Sequence, residues 1–245
     1  MWFYEVAPTK IVRSGASVFT YHSSEQLKPG LLVTIPVGKQ TLNGLIINGA
    51  SKPPYETKEI SSVIEPVPLP APLIELSLWL SSYYRTPLAT VLQTVLPRGL
   101  TTKRREKTAQ PHESSRNRTQ IVFNEDQIKA LHKIMETPSG TILLQGVTGS
   151  GKTEIYKELA RRNLTKGKST IVLVPEISLT SQVVDEFTHE FPDVLVTHSH
   201  MTEAERHLAW EKALHSSEPL VVIGPRSALF MPVPNLGAVM VDEAH

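Results

Sequence analysis

The chain has 245 residues, a net charge of +1 and no cysteine. That length makes one or two domains with ample apolar content for a core, and the lack of cysteine excludes disulfides and thiolate metal sites. Met1-Trp2-Phe3-Tyr4 lacks the basic start and long apolar run of a secretion signal, and no stretch reaches the ~20 apolar residues of a membrane span. A soluble cytoplasmic protein with no membrane partner is expected.

Residues 1–65 are rich in short strand-type runs: Trp2 to Ala7, Ala16 to Tyr21, Leu31 to Val37, Leu42 to Asn48 and Ile60 to Ile64. Gly15, Pro29-Gly30, Gly38, Asn43-Gly44 and Pro53-Pro54 separate them, which predicts a small antiparallel sheet or barrel. After four alternate prolines (Pro66 to Pro72), Leu73, Leu76, Leu80 and Tyr84 share one face of a predicted helix, with Pro72 at its first position. A second short helix is predicted over Leu88 to Leu96. Residues 101–120 show no apolar periodicity and hold six Lys/Arg against two Glu, so they read as a basic flexible linker.

From Ile121 the pattern changes. Asn124 caps a helix over Glu125 to Met135, and Thr141 to Gln145 predicts a strand. Strands and helices then alternate: helix from Glu154, strand Thr170 to Val174, helix Leu179 to Glu190, strand Val194 to Thr197, helix Glu203 to His215, strands Leu220 to Ile223 and Ala238 to Val241. Thr202 and Glu205 form a capping box. Apolar strands alternating with amphipathic helices mean an α/β fold with a mostly parallel sheet covered on both faces. The expected domains are a β-rich one over 1–100, the linker over 101–120 and the α/β one over 121–245. The last is acidic, with eleven Lys/Arg against sixteen Asp/Glu over 121–245. The basic connector beside it either touches nucleic acid or is merely solvated.

The stretch Gly146-Val147-Thr148-Gly149-Ser150-Gly151-Lys152-Thr153 fits the phosphate-binding pattern G-x-x-x-x-G-K-[ST], between an apolar run and a helix as the pattern requires. Glycines let successive N–H groups face phosphate oxygens, and the helix N-terminus adds a positive dipole end. Lys152 then serves the β- and γ-phosphates of ATP, and the Thr153 hydroxyl serves Mg²⁺. About ninety residues on, the apolar run Ala238-Val239-Met240-Val241 delivers Asp242-Glu243-Ala244-His245. Asp242 suits the metal, and Glu243 suits the attacking water. Gln127 has two readings. Its amide matches adenine, which offers a donor and an acceptor together, and Asn124 with Gln127 also makes a capping box.

Asp-Glu-Ala-His is the box of one branch of superfamily 2 helicases, and the chain resembles them there. Gly-Val-Thr-Gly-Ser-Gly-Lys-Thr-Glu, Val174-Pro-Glu-Ile-Ser-Leu-Thr180, Thr197-His198-Ser199 with Glu205-Arg206 and Trp210, and Arg226-Ser-Ala-Leu-Phe230 resemble one family more closely. It is the family of primosomal protein N′ (PriA), the replication-restart helicases. Phe19-Thr20-Tyr21, Val33 to Gly38, and Tyr83-Tyr84 followed by Pro87-Leu88 and Leu96-Pro97 resemble the same family's domain for the 3′ end of DNA. The resemblance spans nearly the whole chain apart from the linker.

The resemblance implies an ATP-dependent 3′-to-5′ DNA helicase that acts at stalled forks. Its implied partners are branched and single-stranded DNA, the primosome and single-strand-binding protein. It implies adenine contact at Gln127, DNA contact at Thr180, Arg226 and Ser227, and a terminal nucleotide near Phe19, Thr20, Tyr21, Gly38 and Lys58. Many relatives carry an acid where this chain has Thr20, a hydroxyl residue where it has Pro225 and a second acid where it has Ala244. The resemblance also leads one to expect an N-terminal portion that stops after the Asp-Glu-Ala-His box. Such a portion lacks the winged-helix domain, the second motor lobe with its arginine finger, and the cysteine-rich zinc insertion. A fragment of that kind is expected to bind ATP and DNA without unwinding. The alternative is a naturally short, non-catalytic DNA- and ATP-binding module.

Overall fold

The computed structural model describes residues 1–13, 15–100, 122–137, 139–147, 149–175, 182–191 and 193–243. The predicted linker over 101–120, Thr148, Glu176 to Thr180, and Ala244-His245 lie outside the described residues. The chain divides into two units. The first takes in the described residues of Met1–Arg105, Met201–Ser216 and Phe230–Val233, and the second those of Glu106–His200, Ser217–Leu229 and Pro234–His245.

In the first unit six strands form one sheet: β1 (Trp2–Pro8), β2 (Phe19–Ser23), β3 (Leu32–Val37), β4 (Gln40–Ala50), β5 (Lys58–Glu59) and β6 (Ser62–Glu65). Their order is β5-β2-β1-β4-β3-β6. All pairs are antiparallel except the two-residue parallel pair β2–β5. Alternation along the strands explains the core. Tyr4, Val6, Tyr21, Val33, Ile35 and Ile46 point to one side and are buried together with Leu31 and Ile60. Tyr4 pairs with Tyr21 across the ladder, so Glu5 and Thr20, the next pair, face the opposite side.

Two helices follow, α1 (Ala71–Tyr83) and α2 (Leu88–Val95). The predicted face of α1 is turned from the observed one. Leu73, Ile74 and Ser77 are buried, while Tyr84 caps the helix and is 65% exposed. Ser77 can be buried because its hydroxyl donates to the Leu73 carbonyl at 2.8 Å. The helix begins at Ala71, which puts Pro72 second rather than first.

The second unit holds α3 (Glu125–Glu136), α4 (Lys152–Thr165), β7 (Ser169–Leu173), α5 (Gln182–Glu190), β8 (Val194–Val196), β9 (Val221–Gly224) and β10 (Leu236–Val241). The helix α6 (Glu203–Leu214) lies between β8 and β9 in sequence but belongs to the first unit. The four strands are all parallel, in the order β10-β7-β9-β8. Val172, Val174, Phe187, Phe191, Val221 and Ile223 form the core with Ala160 and Met240. One predicted strand is missing. Residues 141–147 are irregular, stand outside this sheet, and leave Leu143 85% exposed. An apolar run becomes a strand only beside a ladder partner. Among the described residues none pairs with this one.

Candidate functional site

All four parallel strands of the second unit end at one edge, where open α/β sheets bind ligands. Asp242 follows β10, and its N–H donates to the Leu173 carbonyl at 2.8 Å, which carries the ladder one residue past the strand. Glu243 comes next, exposed, with φ at 50°. A left-handed backbone at a residue other than glycine costs energy and clusters at functional sites. Val174, Gly224 and Thr197 are held at the same edge: the Val174 N–H donates to the Gly224 carbonyl at 2.9 Å, and the Thr197 N–H to the Ile223 carbonyl at 2.8 Å. A Cβ on Gly224 would stand 2.1 Å from the Thr197 hydroxyl, so only glycine permits this approach. Arg226 and Ser227 open a short 3-10 turn (Arg226–Phe230) directly after β9, and both are exposed.

The glycine loop leads into α4. Gly151 sits at φ 80° as the residue before the helix, in the left-handed region that favours glycine. Helix α3 starts on a capping box, Asn124 with Gln127, and α6 on another, Thr202 with Glu205. Helix α4 has no side-chain cap. No side chain competes for the N–H groups of its first turn, although the Glu154 N–H donates to the Gly151 carbonyl at 3.1 Å, and an open helix N-terminus suits a phosphate. The Lys152 ammonium donates to the carbonyls of Gly146 at 2.9 Å and Val147 at 3.1 Å. Gly146 approaches Ser150 closely, since a Cβ there would meet the Ser150 hydroxyl at 2.6 Å. Thr153 is half-buried one residue into the helix.

Gln127 does two things in this structure. Its Oε1 accepts the Asn124 N–H at 2.9 Å, and its Nε2 donates to the Ser150 carbonyl at 3.2 Å. The cap of α3 is thereby tied to the glycine loop. Tyr156, one turn after Lys152, was not singled out by its sequence position. Its hydroxyl donates to Asp242 Oδ1 at 3.3 Å, joining the glycine-loop helix to the acid after β10. Burial, then the charge and hydrogen bond of Asp242, push the Tyr156 phenol up to about 12. The i, i+4 spacing from Lys152 is the sequence signal that points to it.

In the first unit Phe19 is half-buried against the core, and Tyr21 is 6% exposed. The Tyr21 hydroxyl donates to the Pro36 carbonyl at 3.3 Å, two residues before Gly38, and burial pushes its phenol pKa up. Gly38 takes the first place of the two-residue turn between β3 and β4, with φ at 59°. Lys58, exposed, pairs with Tyr21 in the ladder. Thr20 faces away from the core. Its hydroxyl accepts a hydrogen bond from Tyr55 at 3.2 Å, and the neighbouring His22 ring meets Thr57 at 2.8 Å. Tyr55 is 60% exposed. Its place after Pro53-Pro54, in a loop, is the only sequence signal for it.

Comparison with known families matches residues 11–97 to "3′DNA-binding domain (3′BD)" and residues 124–245 to "DEAD/DEAH box helicase". Three curated relatives are each called Replication restart protein PriA. The one from Rickettsia felis is 36% identical over 226 residues, covering 89% of this chain and 34% of its own length. The one from Helicobacter pylori strain J99 is 34% identical over 246 residues, covering 100% of this chain and 37% of its own. The one from Bacillus subtilis is 45% identical over 130 residues, covering 51% of this chain and 16% of its own. The chain thus spans about a third of the length of the relatives that match it throughout.

Proposed function

The chain belongs to the PriA family of replication restart proteins, and on that premise we propose that it binds Mg·ATP in its second unit and DNA in its first, as part of a 3′-to-5′ replication-restart helicase. The observation that supports this most is the Tyr156–Asp242 hydrogen bond. It brings the acid after β10 to the helix that begins at the glycine loop, so both halves of a nucleotide site occupy one sheet edge.

The residues present fit the nucleotide. Gly146 to Thr153 with the uncapped N-terminus of α4 would hold the phosphates, Lys152 would neutralise their charge, and Thr153 and Asp242 would hold Mg²⁺. Gln127 would face the adenine while its amide also ties α3 to the loop. When bound, Mg·ATP supplies the phosphoanhydride bond. The part of this chain is to hold it and to place the Glu243 carboxylate where it takes a proton from the attacking water. Arg226 and Ser227 at the same edge would grip backbone phosphates of a single strand, and the family resemblance adds Thr180, which lies outside the described residues, to that role. The whole enzyme would act on branched and single-stranded DNA with the primosome and single-strand-binding protein.

These 245 residues by themselves turn ATP over slowly in this reading. Lys152 is bonded to the loop's own carbonyls, and among the described residues the run before the loop pairs with no strand. A non-catalytic DNA- and ATP-binding module is the second reading, supported by the same two facts. The test is binding of a fluorescent ATP analogue with Mg²⁺, alongside phosphate release on forked DNA. Lys152→Ala should weaken nucleotide binding at least ~10-fold. Unchanged binding in that variant would overturn the assignment, and DNA-stimulated turnover at a rate typical of helicases would overturn the slow-turnover reading.

A further inference from the structure

The helix α4 differs from α3 and α6 in what its third residue does. In α3 that residue is Gln127, whose Oε1 reaches back to the Asn124 N–H at 2.9 Å. In α6 it is Glu205, whose Oε2 reaches back to the Thr202 N–H at 2.8 Å. In α4 it is Glu154, an acid suited to the same reach, since a carboxylate in the first turn favours the N-terminal N–H groups. Glu154 makes no such cap. Its Oε1 meets the Lys157 ammonium at 2.5 Å, three residues on, where α3 has Ala130 and α6 has Leu208. Its Oε2 is buried and meets no donor among the described residues.

Lys157 is held in place by the neighbouring helix. Its side chain is 7% exposed and faces Glu186 at 3.5 Å and Glu190 at 3.9 Å, both on α5. Arg161, one turn further along α4, pairs with Glu158 and Glu190. Glu190 thus has two cations, while among the described residues Glu154 has Lys157 alone. A buried ammonium stays with its carboxylates, because an unpaired charge out of water is costly. The bare Oε2 of Glu154 is costly too, so this acid is held away from better partners. Released, its carboxylate would settle on the N–H groups at the start of α4, which is the place that a phosphate takes.

Resting on the reading that the glycine loop binds Mg·ATP, we propose that Lys157 is a positioning residue for the phosphate site: it ties down the Glu154 carboxylate and so keeps α4 from being capped by its own acid. The N-terminus of α4 is thereby left open to the triphosphate, with Lys152 as its cation. Lys157 touches no phosphate in this role. It acts through Glu154, and Glu186 and Glu190 on α5 act through Lys157 by fixing its ammonium.

The experiment measures binding of a fluorescent ATP analogue with Mg²⁺ to the full 245-residue chain. Lys157→Met is made together with Glu186→Gln, which removes one charge of each sign, so the net charge of the cluster is unchanged and Glu190 keeps Arg161. This double variant frees Glu154 and should bind the analogue ~10-fold more weakly. Adding Glu154→Ala should restore binding to within about 2-fold of the unaltered chain, which a general loosening of α4 would not allow. A thermal melt checks the fold of each variant. If the double variant does not fold, Glu154→Gln is set against Glu154→Ala: a glutamine caps as Gln127 does and an alanine cannot, so the Glu154→Gln chain should bind more weakly. Binding by the double variant as tight as that of the unaltered chain, or equal binding by the two Glu154 variants, overturns the role of Lys157 and leaves the nucleotide site standing. A weakened double variant that Glu154→Ala does not restore overturns it in the same way. An unaltered chain that binds no analogue overturns the nucleotide reading on which this rests.

Discussion

At the level of single residues, Tyr156 links the helix after the glycine loop to Asp242, the two parts of the proposed nucleotide site. Its phenol is raised from 10.0 to about 12, which means that the fold favours its neutral, donating form. The contribution is whole below pH 10, the ordinary value, and is lost as the pH climbs through about 12. A tyrosinate absorbance titration should find one tyrosine with a midpoint near the upper value. Asp242→Asn should lower that midpoint without returning it to 10.0, because burial is the larger cause and remains. A midpoint unmoved by Asp242→Asn would show that the hydrogen bond does not persist in solution. Of the two readings that the sequence position of Gln127 left open, the structure displays the capping box, and adenine contact stays a proposal. The capping box forms as the spacing demands, and the same amide reaches Ser150 of the glycine loop.

Among the elements, both capping boxes were legible because they need only residues three apart. Asn124→Ala removes the acceptor of the Gln127 N–H and should cost about 1 kcal/mol in urea denaturation. It should also loosen Gln127 against Ser150, so a weaker grip on the fluorescent ATP analogue is expected alongside. Loss of stability with no change in nucleotide binding would separate the cap from the loop. The helix α1 and the run at 141–147 illustrate the opposite case. Their apolar residues were visible, but which side of α1 is buried, and whether 141–147 gains a ladder, depends on neighbours distant in sequence. A helix face is decided by what packs on it, and a strand by what pairs with it.

For the whole molecule, the two units have separate hydrophobic cores, one centred on Val6, Val33, Ile35 and Ile46 and one on Val172, Phe187, Val221 and Ile223. Ile35→Ala in the first should cost about 2–5 kcal/mol and Phe187→Ala in the second about 3–5 kcal/mol, since both side chains are fully buried. Denaturant titration of each variant checks this, and a loss under ~1 kcal/mol at either site would mean that the core is not packed as described. The alternation of strands and helices after Ile121, apart from the strand expected over 141–145, the parallel character of the second sheet, the glycine-loop motif and the acids after β10 were legible in the sequence alone. They rest on local periodicity and on motifs whose residues are close in the chain. The tertiary structure decided which distant groups meet: Tyr156 with Asp242, Tyr55 with Thr20, and Lys157 with Glu186 and Glu190. Such pairs are made by strand register and helix packing, and these follow from burial of the whole core rather than from any short stretch. The glycine-loop motif, Gly146 to Thr153, was plain from its spacing, while the run leading into it lacks a ladder partner among the described residues, because pairing is a property of two strands and not of one.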